Sequence, residues 1–324
     1  MIVVGVDVSK LTLDIYCKPL EQALRIENQA KGFKQWYKGL CKSNPQNLPV
    51  LVVMEHTGRY SHRFEAFLHA QQIAFCKIPA LQIKRSLGMI RGKTDKIDAA
   101  RICSYAWLRR ELLVADEPIA AEINQLRDVL SLRDKLVKDR SGYMSRLKEM
   151  KASGSSSREL EKIQRELIEL LSKKIKELET KVRSLINQCP VMQKTYALLK
   201  SIKGVGMIVA AYMIACTGNF KRFANARKFN CYAGLAPFQN ESGTSFRGRA
   251  KVSHLANKVA KTLLNLAACA ARRYDAELKN YYERKLAEGK SKMGCLNIIR
   301  SKLVSRMFAV VKRQTPYVEI GAAA

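Results

Sequence analysis

The chain has 324 residues, a formal net charge of +30 and 47% hydrophobic residues. That length leaves room for two or three domains with real cores, and the apolar content excludes a disordered basic tail. No run reaches the roughly 18 apolar residues of a membrane span, and "MIVVGVDVSK" lacks the basic region that opens a signal peptide. So strong a positive charge repels itself unless a polyanion is the usual partner, which makes nucleic acid the leading candidate ahead of an anionic membrane surface. The nine cysteines show no Cys-x-x-Cys spacing. They read as small buried residues of a reducing cytoplasm, not as a disulfide framework or zinc site.

The N-terminal segment alternates strand and helix signals. "IVVGVDVS" and "TLDIYCK" read as a β-hairpin and "FKQWYKGLCK" as a helix. "LPVLVVMEHTG" follows as a strand, and "SHRFEAFLHAQQ" as a helix with Ser61 as its expected cap. "IAFCKIP" is a further strand, and "ALQIKRSLGMI" and "DKIDAARICSYAWLRRELL" are helices. This order predicts an α/β domain over residues 1–118. From Ala121 to Ile186 nearly every residue is a helix former, and Leu160, Ile163, Leu167, Leu170, Leu171, Ile175, Leu178, Val182 and Leu185 keep three- and four-residue spacing. That pattern predicts helical coiled-coil arms over 119–190, broken by "ASGSSS" at 152–157, with Ser157 capping the second arm. Residues 191–324 predict a third, mainly helical unit. Residues 201–324 hold 22 of the 58 basic residues but only 6 of the 28 acidic ones, so this third favours a polyanion-gripping surface. Gly204-Val205-Gly206 lies between two apolar helices, as a phosphate-approaching helix-hairpin-helix or an ordinary tight turn would require.

Two patterns carry chemistry. Asp7 and Glu55 each end an apolar strand, and in an open α/β sheet such ends lie side by side. In "RGKTDKIDAARI", Asp95 and Asp98 stand three apart at the start of a helix and share a face. Singly, each has an ordinary role: a turn, a cap, or an ion pair of Asp98 with Arg101 or Arg91. Together they would repel one another unless a divalent cation held them, and magnesium suits carboxylates plus a substrate phosphate. Arg91, Lys93, Lys96 and Arg101 flank the pair and favour a nucleic-acid phosphate nearby. The second pattern is "YAGLAPFQNESGTSFRGRAKVSH", where Ser242, Thr244 and Ser245 precede Arg247, Arg249 and Lys251. Hydroxyls among cations suit either phosphodiester attack or a phosphate-gripping loop, and spacing alone favours the loop.

"VGVDVSK", "MEHTGRY", "KTDKIDAARI", "IKGVGMIVAAYMIA", "FANARKFNCYAGLAPFQNESG" and "RGRAKVSHLANKVAKTLL" together resemble the DEDD-class transposases of bacterial insertion sequences, to which the pilin-gene invertases also belong. The matches run in order from about residue 3 to about 310. The resemblance implies a RuvC-like (RNase H-like) domain, coiled-coil arms and a C-terminal transposase domain. It places the four acidic positions on Asp7, Glu55, Asp95 and Asp98, with Mg²⁺ as their ion, and the catalytic serine on Ser242, which would link covalently to a DNA phosphate. It further implies a noncoding bridge RNA that pairs with double-stranded target and donor DNA, a homodimer or homotetramer, and a cytoplasmic, nucleoid-associated setting. A water-using junction nuclease and a non-catalytic nucleic-acid scaffold are the competing expectations.

Overall fold

A computed structural model of the chain describes residues 1–56, 58–86, 95–117, 119–154, 157–242 and 246–318. The side chains of Asp95, Lys96, Asn240, Ser242, Phe246, Arg247 and Arg249 lie outside that description. The chain divides into two compact units, Met1–Pro118 and Ile119–Ala324.

The first unit is a five-stranded mixed sheet between helices. Strand β1 (Ile2–Val8) pairs antiparallel with β2 (Thr12–Lys18), and β2 pairs antiparallel with β3 (Gln22–Glu27). Helix α1 (Ala30–Ser43) then leads to β4 (Val50–Glu55), which lies parallel to β1. Helix α2 (His62–Ala70) leads to β5 (Ala74–Ile78), parallel to β4, giving the order β3-β2-β1-β4-β5. Helices α3 (Ala80–Ser86) and α4 (Asp95–Arg109) complete the unit. Alternation along β1 sorts the core into two layers. Val4 and Val6 join Val52, Met54, Phe33 and Phe64 under α1 and α2. Val3 joins Leu51, Val53, Ile102 and Cys103 under α4.

Strand β3 was not expected, and the reason is visible in its exposure. Only Ile26 of its six residues is buried. It is an edge strand held by main-chain pairing with β2, and its only apolar alternation, Leu24 and Ile26, is shorter than the roughly four residues by which strands are read. Ser61 also departs from expectation. It precedes α2 but its side chain accepts no capping bond; its hydroxyl instead donates to Glu65 Oε1 at 2.6 Å, and Lys77 Nζ donates to Glu65 Oε2 at 2.8 Å. The Ser61 backbone is already helical (φ −79°, ψ −19°) instead of extended as a capping residue's is, so its hydroxyl serves Glu65 in the first turn and not the free amides.

Close approach of α4 to the sheet depends on Gly5. A β-carbon there would stand 2.3 Å from the Cys103 nitrogen and 2.4 Å from the Ala99 carbonyl oxygen, both backbone atoms of α4. Gly5→Ala is therefore expected to push α4 off the sheet at a cost of about 3 kcal/mol, the upper part of the overpacking range. A urea titration reads this as a lowered midpoint; an unchanged midpoint would mean that α4 does not rest on Gly5.

The second unit begins with two long helices, α5 (Ala121–Ser153) and α6 (Arg158–Gln188). Gly154 ends α5 in the left-handed conformation, and Ser157 caps α6 as expected, accepting from the Leu160 nitrogen at 3.2 Å. The helices run antiparallel, tied by Arg133–Glu179, Arg140–Ser172 and Gln164–Met150 contacts. Their base is buried: Ile123, Leu126, Leu130, Val182 and Ile186 enter the same core as the helices that follow. Farther out, Leu132, Leu160, Ile163 and Leu170 are exposed. Then come α7 (Pro190–Lys200), the fully apolar and mostly buried α8 (Met207–Thr217), and α9 (Ala226–Tyr232). A two-stranded ribbon, β6 (Pro237–Ser242) and β7 (Phe246–Val252), interrupts the helices. Helices α10 (Lys258–Tyr274), α11 (Ala276–Ala287) and α12 (Lys292–Arg313) finish the unit.

The cysteines depart from the expectation in part. Five of the nine are buried, but Cys41 and Cys231 are exposed. All nine are free thiols. No described helix is long and apolar enough to cross a membrane.

Candidate active site

The carboxyl ends of β1 and β4 are the natural place for a site, because ligands of open α/β sheets bind where adjacent parallel strands end. The register pairs Gly5 with Val53 and Val6 with Met54, so Asp7 stands next to Glu55 on neighbouring strands. Both are half-buried. Asp7 shares its face with Val3 and Gly5, and Glu55 with Leu51 and Val53, since side chains repeat every second residue. That is the face covered by α4.

The direction of α4 extends the argument. Cys103 Sγ lies 3.3 Å from the Val3 carbonyl oxygen, and Gly5 faces the Ala99 carbonyl. Moving along β1 from Val3 to Gly5 therefore moves backward along α4 from Cys103 to Ala99. The next residue on that face is Asp7, and the next turn of α4 back holds Asp98 and Asp95. Asp98 is half-buried and accepts from Arg101 Nη1 at 2.8 Å, the ion pair that its spacing had suggested. The side chain of Asp95 lies outside the described residues, as do Arg91 and Lys93 entirely.

A third carboxylate of the sheet escaped the sequence. Asp14 on β2 lies directly across from Asp7, and Arg25 on β3 lies directly across from Asp14. Asp14 is 6% exposed and receives both Arg25 Nε, at 3.0 and 3.1 Å, and Nη2, at 2.9 Å. A row thus crosses one face of the sheet: Arg25, Asp14, Asp7, Glu55. The guanidinium offsets the charge of Asp14, so this carboxylate adds less repulsion to Asp7 than its position would otherwise impose. Only the hairpin register could have revealed Asp14, and "TLDIYCK" by itself shows nothing but a polar residue in a strand. Arg25→Ala should leave a buried carboxylate without its bidentate donor and cost about 2 kcal/mol. Loss of stability in a urea titration checks this; no change would mean that water satisfies Asp14.

In the second unit, Ser242 is the last residue of β6, paired with Phe246 at the end of the ribbon where the two strands are joined. Glu241 pairs with Arg247 and Asn240 with Gly248, so the cationic run lies along β7 opposite the strand that carries the serine. Sequence had suggested a loosened loop here; the backbone is a ribbon with exposed Lys251 and Phe238. Gly243, Thr244 and Ser245 lie outside the described residues, as do the side chains of Ser242, Arg247 and Arg249. The two readings of Gly204-Val205-Gly206 separate by residue. Gly204 has φ +89°, and a β-carbon there would stand 2.7 Å from the Ala267 carbonyl oxygen of α10, so packing alone requires glycine. Gly206, the N-cap of α8, is exposed, and a β-carbon there would face open space, so packing does not require glycine at this position.

With this geometry in hand, comparison with known proteins is decisive. A DEDD-type IS110 transposase family model matches residues 4–151, and the model described as "Transposase IS116/IS110/IS902 family" matches residues 196–283. The chain belongs to the IS110 family of insertion-sequence transposases. It is similar to the pilin gene-inverting proteins of Moraxella bovis and Moraxella lacunata, each 24% identical over 97% of both chains. It is also 31% identical to an uncharacterized 43.6 kDa protein of insertion element IS110 from Streptomyces coelicolor, over 43% of this chain and 33% of that one.

This transposase is thus an enzyme acting on DNA, with a RuvC-like N-terminal unit and a mostly helical remainder. A DEDD domain points to a divalent metal. Among the described residues no three His, Cys, Asp or Glu side chains are grouped closely enough to hold one. The pair that the strand register brings together fits such an ion in chemistry: adjacent strand ends supply carboxylate oxygens from Asp7 and Glu55. Hard divalent cations take oxygen ligands and leave positions for water and phosphate, which is what an incomplete carboxylate set offers.

Proposed function

We propose that this transposase is a DNA recombinase that moves its own element, cutting and rejoining target and donor strands through Ser242. One observation carries the reading: the parallel register sets Asp7 beside Glu55 at neighbouring strand ends, on the face of the sheet that α4 covers. The similarity to proteins named for pilin gene inversion supports rejoining rather than simple hydrolysis.

The chemistry divides between two sets of residues. Asp7, Glu55, Asp95 and Asp98 would hold Mg²⁺, which when bound supplies charge stabilisation to the scissile phosphate. Ser242 Oγ attacks the phosphorus, a serine–phosphate ester forms, and the P–O bond to the departing deoxyribose breaks. The departing oxygen gains a proton as the serine loses one. Attack by the hydroxyl of the incoming strand reverses both changes and restores the serine. The phosphoester energy is kept in the protein–DNA link, so resealing needs no high-energy cofactor. Arg247, Arg249, Lys251 and Gly206 serve as phosphate contacts of the C-terminal unit, and Arg91 and Lys93 as contacts beside the carboxylates.

The partners follow from the family resemblance and the charge: double-stranded DNA, and a bridge RNA that selects it by pairing. Recombination of a plasmid carrying the element's junction and its target, with and without RNA transcribed from the element's noncoding end, tests the whole reading. Recombinant junctions that form only with that RNA support it. Free, hydrolysed ends would favour a water-using nuclease, and no strand change under any condition would favour a binding scaffold.

The outer half of the helical hairpin is assigned to association between copies. Leu160, Ile163 and Leu170 form an exposed apolar stripe on α6, spaced for one helix face. Ile163→Asp with Leu170→Asp is expected to dissociate the oligomer without unfolding the hairpin, since both side chains already face solvent within one chain. Light scattering reads the mass; an unchanged mass would show that the stripe is not an interface.

A further inference from the structure

The second unit contains a cavity of about 300 Å³ apart from the ribbon and the strand-end carboxylates. Arg127 of α5, Tyr212 of α8, Arg222, Tyr232 of α9 and Asn257 ahead of α10 supply its polar lining. Leu130, Ile208, Val259 and Leu263 supply an apolar wall.

The hydrogen bonds inside the cavity are directional. Asn257 Oδ1 accepts from the Tyr212 hydroxyl at 3.0 Å and from the Ala260 nitrogen at 2.9 Å, so its acceptor capacity is used. Asn257 Nδ2 donates to the Tyr232 oxygen at 2.8 Å, which leaves the amide its second hydrogen and Tyr232 its own proton. Burial raises the hydroxyl pKa of both tyrosines, so both stay protonated. Arg127 Nε donates to the Ala215 carbonyl at 2.8 Å, and its guanidinium lines the cavity. Arg222 is exposed, with its guanidinium 5.6 Å from the centroids of both the Tyr232 and Phe223 rings. Two other charged lining residues are offset: Arg133 by Glu179 at 2.7 Å, and Asp134 by Lys138 at 2.6 Å. What remains to meet a ligand is a set of donors beside an apolar wall and a cation over aromatic rings.

A ligand matching that set carries acceptors, negative charge and a flat ring. A cavity of about 300 Å³ stands at the small end of the range for ligand pockets, roughly 300–1,000 Å³. It excludes a duplex and admits a single residue of a strand. We propose that this cavity takes one unstacked nucleotide of the bound nucleic acid, its ring between the apolar wall and the Tyr232 ring, its phosphate against the exposed Arg222 guanidinium. Unstacked bases are commonly held on aromatic rings and guanidinium planes in this way. The base edge meets donors, so carbonyl-bearing bases fit better than an adenine amino group. The inference rests on the reading that the chain binds nucleic acid, and it is independent of whether Ser242 cuts.

The test uses the full chain with Ser242→Ala, so that no serine–DNA link forms, and short single strands carrying one 5-iodouracil, as DNA or as RNA. After irradiation and digestion, mass spectrometry maps the labelled peptides. Label on the peptides that hold Tyr212 or Tyr232 is expected, and the sugar that labels better identifies the strand. Arg222→Ala, which removes an exposed side chain, is expected to lower this labelling about tenfold, the size of losing one stacked base. Ser131→Trp, at the exposed rim of the cavity, should block it as strongly. Gel-shift affinity for the same strands should fall far less in either variant. Label confined to other peptides, or undiminished by both substitutions, overturns the cavity while leaving the serine reading intact. Absence of any gel shift overturns the cavity and the nucleic-acid reading together.

Discussion

Ser242→Ala is expected to bind DNA and RNA as the native chain does and to form no covalent adduct. The variant is expected to keep the ribbon, because the pairing of Ser242 with Phe246 is between main chains, which alanine retains. It removes the atom that attacks. Loss of a serine nucleophile elsewhere lowers turnover by roughly 10⁴-fold or more, so strand exchange should fall below detection. A denaturing gel of protein, RNA and labelled DNA with Mg²⁺ gives the readout. The native chain should show a shifted, protease-sensitive band, and the alanine variant none. Ser242→Cys offers a finer check, since a thiolate is nucleophilic but its thiophosphate ester reseals differently. An adduct surviving in the alanine variant, or cleaved DNA with no protein attached, would remove Ser242 from the mechanism and leave the water-using nuclease.

The second large effect is expected at the carboxylates. Asp7→Asn and Asp98→Asn each replace a charged oxygen ligand by a neutral amide of the same shape. Strand exchange should fall by about 10³-fold, equivalent to about 4 kcal/mol of barrier, while nucleic-acid binding stays nearly native. Asp98→Asn should also release Arg101, which pairs with it at 2.8 Å. Arg101→Ala therefore separates the two roles: if Asp98 matters only as an ion-pair partner, the two variants will behave alike. Asp14→Asn is the internal control, because Asp14 lies beside Asp7 yet has its charge taken by Arg25. A loss there equal to that of Asp7→Asn would mean that the site is wider than the four carboxylates. Activity retained in EDTA would rule out the metal altogether.

Much of this protein was legible in its residues because the relevant signals are local. Short β-branched and apolar runs gave away β1, β2, β4 and β5, and helical spacing gave away α5 and α6, with Ser157 as cap and Gly154 ending the first arm. The excess of Lys and Arg indicated a polyanion, and the order of the short motifs indicated the family. Polar pieces held by main-chain pairing left no such trace. Edge strand β3 has one buried side chain, and the described side chains of the β6–β7 ribbon include none. Ser61 looked like a cap, but its backbone is already helical and its hydroxyl donates to Glu65 in the first turn of the same helix.

What sequence alone determined, then, was the chemical inventory: which carboxylates, hydroxyls and cations exist, and on which kind of element. Their company was decided by tertiary structure. Asp7 meets Glu55 through a parallel register spanning more than forty residues of chain, and meets Asp14 and Arg25 through two antiparallel ones. Helix α4 lies close over that face because Gly5 lets its backbone rest on the strand. The same holds for Tyr212, Tyr232 and Asn257, residues of three separate segments that only packing turns into one donor-lined cavity. Hydrophobic periodicity reports which face of an element is buried, not which partner covers it. That choice belongs to register and close packing, which depend on the whole chain at once.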